Sequence, residues 1–289
     1  MKQKSIVVIC LICVFLFTSV CSALAGGFTE DADAIEKAAD SVFMLEIYSA
    51  NHQQIAVGSG FVAFDPSLLV TNYHVIEGGA YIIAVSDEKE QFLVSRVCCY
   101  DKKKDIAILK FDSPGSAAPL ELNTDEVLKR AQPVVAIGSP AGLMNTVSIG
   151  NISAFYTQGG KDWIQFTAPI SSGSSGGALF NDSGKIIGIT TATYASAQNI
   201  NMAVKIEEVI RLYDRWDKST TVALGNNYSV PAVSATKPSS SGQGTKVWVT
   251  ASGKKYHSNP NCSKMRSPIE MDLLEAIERG FTPCGKCFK

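Results

Sequence analysis

The feature that most constrains the fold is a succession of short β-prone runs between residues 42 and 206. Stretches rich in Gly, Asn, Asp and Pro separate these runs. Many short strands joined by turn residues are typical of an all-β barrel or sandwich. The runs are 42–48, 55–64, 68–71, 81–85, 92–100, 106–111, 134–138, 147–156, 163–168, 186–193 and 200–204.

A helix is predicted on each side of the β-rich region. Residues 31–40 have Ile35, Ala38 and Ala39 on one face, and residues 206–216 have apolar residues at helical spacing, at Val209, Ile210 and Tyr213. We therefore expect one domain over residues 28–218. Apolar residues make up 46% of the chain, which is enough for a sizeable core and excludes wholesale disorder.

The N-terminus has the pattern of an export signal. Lys2 and Lys4 precede an apolar run over residues 6–20, and Ala23-Leu24-Ala25 follows it. This order predicts a signal peptide over residues 1–25 and an exported mature protein, periplasmic or extracellular. An uncleaved anchor is the alternative, but the run is shorter than the ~20 apolar residues that a membrane span needs. No other membrane contact is expected.

The composition changes after the second predicted helix. Residues 219–245 are rich in Ser, Ala, Thr, Gly and Pro without periodicity, which predicts a flexible linker. Residues 246–289 carry eight Lys or Arg and four Asp or Glu, although the whole chain has a net charge of -1. The change of charge favours a separate C-terminal module. Since the chain as a whole has no basic excess, no nucleic-acid partner is expected.

Three motifs carry residues suited to acyl transfer. His74 follows an apolar run, Asp105 leads directly into another, and Ser175 lies in the Gly-rich run Gly173-Ser-Ser-Gly-Gly. An imidazole transfers protons near neutral pH. A buried carboxylate needs a partner such as an imidazole N–H. A serine hydroxyl needs a base beside it, and Gly-rich backbone N–H groups can converge on an oxyanion.

Taken together and in this order, the motifs resemble those of trypsin-like serine peptidases, specifically the HtrA/Deg branch. That branch carries Thr-Asn-x-His-Val, Asp-hydrophobic-Ala-hydrophobic-Leu and Gly-Asn-Ser-Gly-Gly. Here the matching stretches begin at Thr71, Asp105 and Gly173. Position 174 is Ser where the branch has Asn. The PDZ domain that typically follows the peptidase domain is not expected in this chain.

The resemblance implies a fold of two six-stranded antiparallel barrels with the site in the cleft between them. It implies that His74 is the general base and then acid, that Asp105 orients it, and that Ser175 is the nucleophile. The N–H groups of Gly173 and Ser175 would form the oxyanion hole. The implied activity is endopeptidase cleavage of misfolded or accessible polypeptides, with no cofactor for catalysis.

The specificity pocket follows from the same resemblance. Ile170 would line it, with Thr190, Thr191 and Ala192 on the opposite wall. Because no acidic residue lies in 169–172, small or medium aliphatic residues are expected before the scissile bond.

The C-terminal module gathers His257, Cys262, Cys284 and Cys287. A Cys-x-x-Cys turn with a third Cys and a His suits tetrahedral zinc, and a small module with little core needs such a staple. The segment resembles Ada-like zinc-binding modules, which implies a structural zinc site in a small α+β unit, with a helix over residues 268–280. A disulfide from Cys262 to Cys284 or Cys287 is the alternative.

Two other functions stay open at this point. One is a non-catalytic protein that binds peptides or proteins in the cleft, and the other is a processing peptidase with one dedicated substrate. Family members are often trimers assembled through aromatic residues near the N-terminus. A homo-oligomer is therefore one expectation, with Phe28 and Phe43 as candidates.

Overall fold

The structure is a computed structural model that describes residues 26–113, 115–193, 199–225 and 246–251, together with most of 253–287. The predicted signal peptide and residues 226–245 of the predicted linker lie outside the described residues. Within the described part, no helix is long and apolar enough to cross a membrane.

The first barrel is built from six strands of the N-terminal half. They are β1 (Val42–Tyr48), β2 (Gln54–Val62), β3 (Leu68–Thr71), β4 (Tyr81–Val85), β5 (Gln91–Asp101) and β6 (Ile106–Phe111). The order β5-β4-β1-β2-β3-β6 closes because β6 also pairs with β5. Every neighbouring pair is antiparallel, and side chains such as Phe43, Leu69 and Leu109 fill the interior.

The second barrel has the same number of strands. They are β7 (Pro133–Gly138), β8 (Thr146–Gln158), β9 (Lys161–Phe166), β10 (Ala178–Asn181), β11 (Ile186–Thr193) and β12 (Asn201–Lys205), closed in the order β10-β11-β12-β9-β8-β7. Ile152, Phe166 and Leu179 lie in its interior. The prediction of an all-β fold with two six-stranded antiparallel barrels is confirmed.

Helices pack against the two barrels. Helix α1 (Ala32–Ala39) begins at Asp31, whose carboxylate accepts the N–H of Ala34, and buries the predicted face with Ile35. Helix α2 (Tyr73–Ile76) is a single turn after β3, and α3 (Ile206–Arg215) follows β12 directly. Buried residues of α1, α3 and both barrels form one apolar cluster, so the barrels pack as one unit.

The structure corrects the start of the predicted linker. Residues Val222–Ala223 form strand β13, which pairs with β5 outside the closed ring. Leu224 is buried in the first barrel's core, and its N–H donates to the carbonyl of Ser95. Residues 222–224 therefore pack on the first barrel. The polar and small residues around them hid a strand of only two residues.

The C-terminal module contains two small sheets. Strand β14 (Lys246–Val249) pairs antiparallel with β16 (Ile269–Asp272), and β15 (Lys255–Tyr256) pairs in parallel with β17 (Thr282–Pro283). The helix expected over residues 268–280 is wrong at its start. Residues Ile269–Asp272 form a strand instead, in which the exposed Glu270 and the buried Met271 lie on opposite faces, as successive residues of a strand do. Leu273, Leu274 and Ile277, expected on one helix face, lie outside the described residues.

The module packs against the outer face of the first barrel. Tyr256 and Val247 of the module share an apolar cluster with Tyr48 and Tyr81 of β1 and β4. The rings of Tyr48 and Tyr81 stack with their centroids 5.1 Å apart, and Tyr256 is 1% exposed. The module thus covers part of the outer surface of the first barrel.

The two aromatic candidates for oligomer contacts differ in burial. Phe43 is 2% exposed and lies in the interior of the first barrel, so it is not available for a contact between subunits. Phe28 packs on Phe180 with ring centroids 5.2 Å apart.

Candidate active site

The sheet topology brings His74 and Asp105 together. Strand β3 pairs antiparallel with β6, with Thr71 opposite Ala107. The end of β3 therefore lies beside the start of β6. His74 is in α2, just after β3, and Asp105 directly precedes β6.

Both carboxylate oxygens of Asp105 contact His74. Oδ1 accepts the backbone N–H of His74 at 2.9 Å, and Oδ2 lies 2.9 Å from the imidazole Nδ1. The Asp105 side chain is 11% exposed and that of His74 is 46% exposed. The carboxylate is thus shielded from water, whereas part of the imidazole remains open to solvent.

Asp105 also has an unusual backbone. Its φ is 61°, in the left-handed region that non-glycine residues seldom adopt. Its carbonyl accepts a hydrogen bond from the side chain of Asn72 at 2.8 Å. Strained residues persist only where their surroundings hold them, and they concentrate at functional sites.

Asn72 links this pair to the second barrel. It is fully buried, and its Nδ2 donates to the carbonyl of Asp105 and to Oγ1 of Thr191, the latter at 3.0 Å. Thr191 lies at a break in the register between β11 and β12. A β-bulge turns a residue out of the ladder, and bulges are common beside active sites.

Ser175 lies in the loop between β9 and β10, next to the first barrel. Its carbonyl accepts the N–H of Ser59 at 2.8 Å, and its hydroxyl donates to the carbonyl of Thr191 at 2.8 Å. Among the described residues, no hydrogen bond joins Ser175 to His74. Gly176 beside it has a φ of 90°, and a Cβ there would lie 2.0 Å from the Ser59 carbonyl oxygen. Glycine is required at this position.

Hydrogen bonds to the neighbouring carbonyls fix the peptide groups that carry the expected oxyanion donors. The Ser172 carbonyl accepts the N–H of Ala141 at 2.7 Å, and the Ser174 carbonyl accepts Oγ1 of Thr190 at 2.5 Å. In a trans peptide the N–H points opposite to the carbonyl. The N–H groups of Gly173 and Ser175 therefore point away from these partners. Neither donates a hydrogen bond to another described residue.

The residues expected to line the specificity pocket lie close to this loop. Ile170 is half-buried and packs against the core of the second barrel. Thr190 and Thr191 are buried; the Thr190 hydroxyl donates to the carbonyl of Ser174, and the Thr191 hydroxyl accepts from Asn72. The side chain of Ala192 lies outside the described part of the chain.

The four candidate metal ligands converge in the C-terminal module. Because β15 and β17 run parallel, the residues that follow them, His257 and Cys284, lie side by side. Cys262 Sγ is 4.0 Å from Cys284 Sγ, and Cys287 Sγ is 3.6 Å from His257 Nδ1. All four ligand atoms lie within 4.8 Å of one another.

This donor set fits a tetrahedral ion. With Zn–S bonds of about 2.3 Å, neighbouring ligand atoms of a tetrahedron are about 3.8 Å apart. Burial and the charge of Lys255 lower the pKa of His257, which favours the neutral imidazole that a metal binds. Burial opposes ionisation of Cys284, but hydrogen bonds from the backbone N–H groups of Lys286 and Cys287, together with those from the Cys262 and Cys287 thiols, lower the thiol pKa.

Comparison with known proteins agrees with this geometry. Residues 58–189 match the family model described as a trypsin-like peptidase domain. This segment is therefore similar to trypsin-like peptidases. A solved structure, the serine endoprotease from Yersinia pestis, superposes on this chain with a TM-score of 0.57 and 28% identity, covering 63% of this chain and 64% of that one. The resemblance to HtrA-type peptidases is confirmed.

Two curated relatives are also similar to this chain. The probable periplasmic serine endoprotease DegP-like of Rhizobium meliloti is 35% identical over 178 residues, which are 59% of this chain and 35% of that protein. The anti-sigma-I factor RsgI9 of Acetivibrio thermocellus is 35% identical over 175 residues, 61% of this chain and 24% of that protein. The chain thus spans well under half the length of these two relatives.

Sequence reasoning missed Ser59 and the linking role of Asn72. Asn72 stands in the His74 motif, and its position two residues before the imidazole could have drawn attention. Ser59 lies in Gly58-Ser59-Gly60, where two glycines allow close backbone approach to another segment. No local pattern specifies which segment that is.

Proposed function

We propose that the chain is an exported serine endopeptidase that cleaves accessible or misfolded polypeptides through an acyl-enzyme. The observation that carries this proposal is the pair of hydrogen bonds between Asp105 and His74. They fix the imidazole with a protonated Nδ1, so that Nε2 is the acceptor for the Ser175 proton. Export is supported by the signal-peptide pattern and by the relative whose name calls it periplasmic.

The residues divide the steps of the reaction between them. Ser175 attacks the substrate carbonyl while His74 takes its proton, and His74 then gives that proton to the leaving amine. Water next attacks the acyl-enzyme while His74 takes its proton, and His74 returns that proton to the Ser175 oxygen as the carboxylic acid leaves. The oxyanion that forms accepts hydrogen bonds from the N–H groups of Gly173 and Ser175. In the structure the Ser175 hydroxyl donates to Thr191, so it has to turn toward His74 before attack.

The pocket chemistry supports apolar specificity. Ile170 is the half-buried apolar residue before the loop, and no acidic side chain lies in 169–172. A substrate Lys or Arg would lose its hydration there without gaining a counter-charge. Cleavage after small or medium aliphatic residues is therefore expected, and a peptide-library profile dominated by basic residues would contradict it.

Labelling by a fluorophosphonate tests the nucleophile. The probe is expected to modify Ser175 in the wild type, with the site located by mass spectrometry, and to leave Ser175→Ala unmodified. Ser172→Ala is the matched control, because Ser172 is an exposed serine of the same loop. No labelling of folded wild-type protein would contradict the proposal and favour a non-catalytic binding protein. Labelling without casein cleavage would favour a dedicated substrate.

We also propose that His257, Cys262, Cys284 and Cys287 hold a structural zinc ion. With four protein ligands the ion has no open position, so it stabilises the module and takes no part in peptide hydrolysis. Tyr256, which packs against the first barrel, directly precedes His257. Binding of zinc to His257 therefore also holds the module against the first barrel.

Metal analysis and thiol counting separate zinc from a disulfide. We expect one zinc per chain in the purified mature protein, and its loss in Cys284→Ser but not in Cys99→Ser, a thiol outside the module. After chelation and denaturation without reductant, all five cysteines of the mature chain should react with iodoacetamide. Three reactive thiols and no bound metal would instead establish the disulfide.

A further inference from the structure

Ser59 connects the first barrel to the loops that shape the oxyanion hole. It lies in β2 and is fully buried. Its N–H donates to the carbonyl of Ser175 at 2.8 Å, and its own carbonyl accepts Oγ1 of Thr71 at 2.7 Å. Its main chain thus contacts both the nucleophile loop and the strand that leads to His74.

The hydroxyl of Ser59 makes two further hydrogen bonds. It donates to the carbonyl of Gly173 at 2.8 Å and accepts the N–H of Ser139 at 2.8 Å. A hydroxyl can donate and accept at once. Alanine lacks both functions, and it would leave a buried carbonyl and a buried N–H without partners.

These two bonds set the orientation of both peptide groups around Gly173. The bond to the Gly173 carbonyl fixes the peptide group that follows this residue. The bond from Ser139 anchors the turn Pro140–Gly142, in which Ala141 donates to the Ser172 carbonyl and so fixes the peptide group that precedes Gly173. Because N–H and carbonyl are opposed in a trans peptide, the bond from Ala141 to the Ser172 carbonyl sets the direction of the Gly173 N–H. The bond from Ser59 fixes the next peptide group, so that Gly173 is held on both sides.

We propose that Ser59 is the positioning residue of the oxyanion hole, a role that rests on the proposed peptidase function. Its hydroxyl holds the Gly173 peptide groups so that the N–H points into the cleft. Since Ser59 belongs to the first barrel and Gly173 to a loop of the second, the hole is complete only when the two barrels are closed against each other. Ser59 itself does not touch the substrate.

The test compares Ser59→Ala with Ser41→Ala. Ser41 is also buried, and its hydroxyl donates to the carbonyl of Ala118, away from the nucleophile loop. Removal of one oxyanion donor typically costs about 10²- to 10³-fold in kcat. Displacement of a donor that is still present is therefore expected to lower kcat of Ser59→Ala by about 10- to 100-fold, with KM within about threefold of the wild type.

A transition-state analogue gives a readout that a merely structural role would not move. A peptide boronate forms a tetrahedral adduct that uses the oxyanion hole, whereas the matching product peptide does not. We expect Ser59→Ala to weaken boronate binding by the same factor as kcat and to leave product binding unchanged. Ser41→Ala should alter neither. If Ser59→Ala does not fold, Ser59→Cys keeps the side-chain volume with much weaker hydrogen bonds and takes its place.

The outcomes distinguish this proposal from its premise. Wild-type protein that neither reacts with a fluorophosphonate nor cleaves peptides contradicts the peptidase function and the role of Ser59 with it. An active wild type whose folded Ser59 variants keep kcat and boronate affinity contradicts only the role of Ser59. Equal losses in the Ser59 and Ser41 variants would also overturn that role, since they would reflect general loosening of the barrel.

Discussion

Replacing Asp105 by asparagine changes the protonation of His74 in a way that the structure determines. One carboxylate oxygen accepts the His74 backbone N–H and the other faces Nδ1, both at 2.9 Å. A backbone N–H can only donate, so it must take the amide oxygen of the asparagine. The NH₂ group then faces Nδ1, which has to accept. The imidazole proton moves to Nε2, the nitrogen that should receive the proton of Ser175.

We expect kcat/KM of Asp105→Asn to fall about 10⁴-fold, the loss that the wrong tautomer causes in the Ser-His-Asp template. This equals about 5.4 kcal/mol of transition-state stabilisation. Because both hydrogen bonds can still form, the midpoint of thermal unfolding should change by only a few degrees, equivalent to about 1 kcal/mol or less.

The assay measures initial rates on an internally quenched peptide, with thermal unfolding followed by circular dichroism. Asp125→Asn is the control, because it removes an exposed carboxylate that pairs with Lys185 outside the cleft. If folded Asp105→Asn kept more than about a tenth of the wild-type kcat/KM, the difference would be under 1.4 kcal/mol and the proposed control of the tautomer would be refuted.

Three further predictions concern the packing of the module, the pH dependence of stability and the Ser175 loop. Tyr256→Ala removes a buried ring between the module and the barrel and should lower the free energy of unfolding by about 3–5 kcal/mol in urea titration, whereas half-exposed Tyr156→Ala should cost about 0.5 kcal/mol or less. Burial lowers the pKa of His52, so the unfolded chain binds that proton first and stability should fall as the pH drops below about 6.5. His52→Gln should flatten this fall in Tm between about pH 7.5 and 5.5. Gly176→Ala places a Cβ against the Ser59 carbonyl and should abolish fluorophosphonate labelling, and normal labelling would contradict the loop geometry.

The sequence predicts most barrel strands because each one is a short β-prone run bounded by turn residues. Residues 42–48, 68–71 and 106–111 are predicted with the same bounds as β1, β3 and β6. Strand β10 is missed because its four residues follow the glycines of the Ser175 loop without a turn between them. Strand β13 is missed because it has only two residues and depends on β5 for its pairing.

The site is only partly readable from the sequence, for a physical reason. His74, Asp105 and Ser175 stand in motifs whose residue types suggest proton transfer and nucleophilic attack. Ser59 and Thr191 each form a hydrogen bond to a residue more than a hundred positions away in the chain. These pairings depend on how the barrels close, so no local pattern predicts them. The docking of the module on Tyr48 and Tyr81 is hidden for the same reason.

The central claim is that Ser175 is the nucleophile of a serine endopeptidase. The most direct measurement is the rate of casein hydrolysis without ATP by the mature wild-type protein and by Ser175→Ala, with both shown to be folded. We predict hydrolysis by the wild type and a rate at least about 10⁴-fold lower for the variant. Hydrolysis at equal rates by the two proteins would contradict the claim.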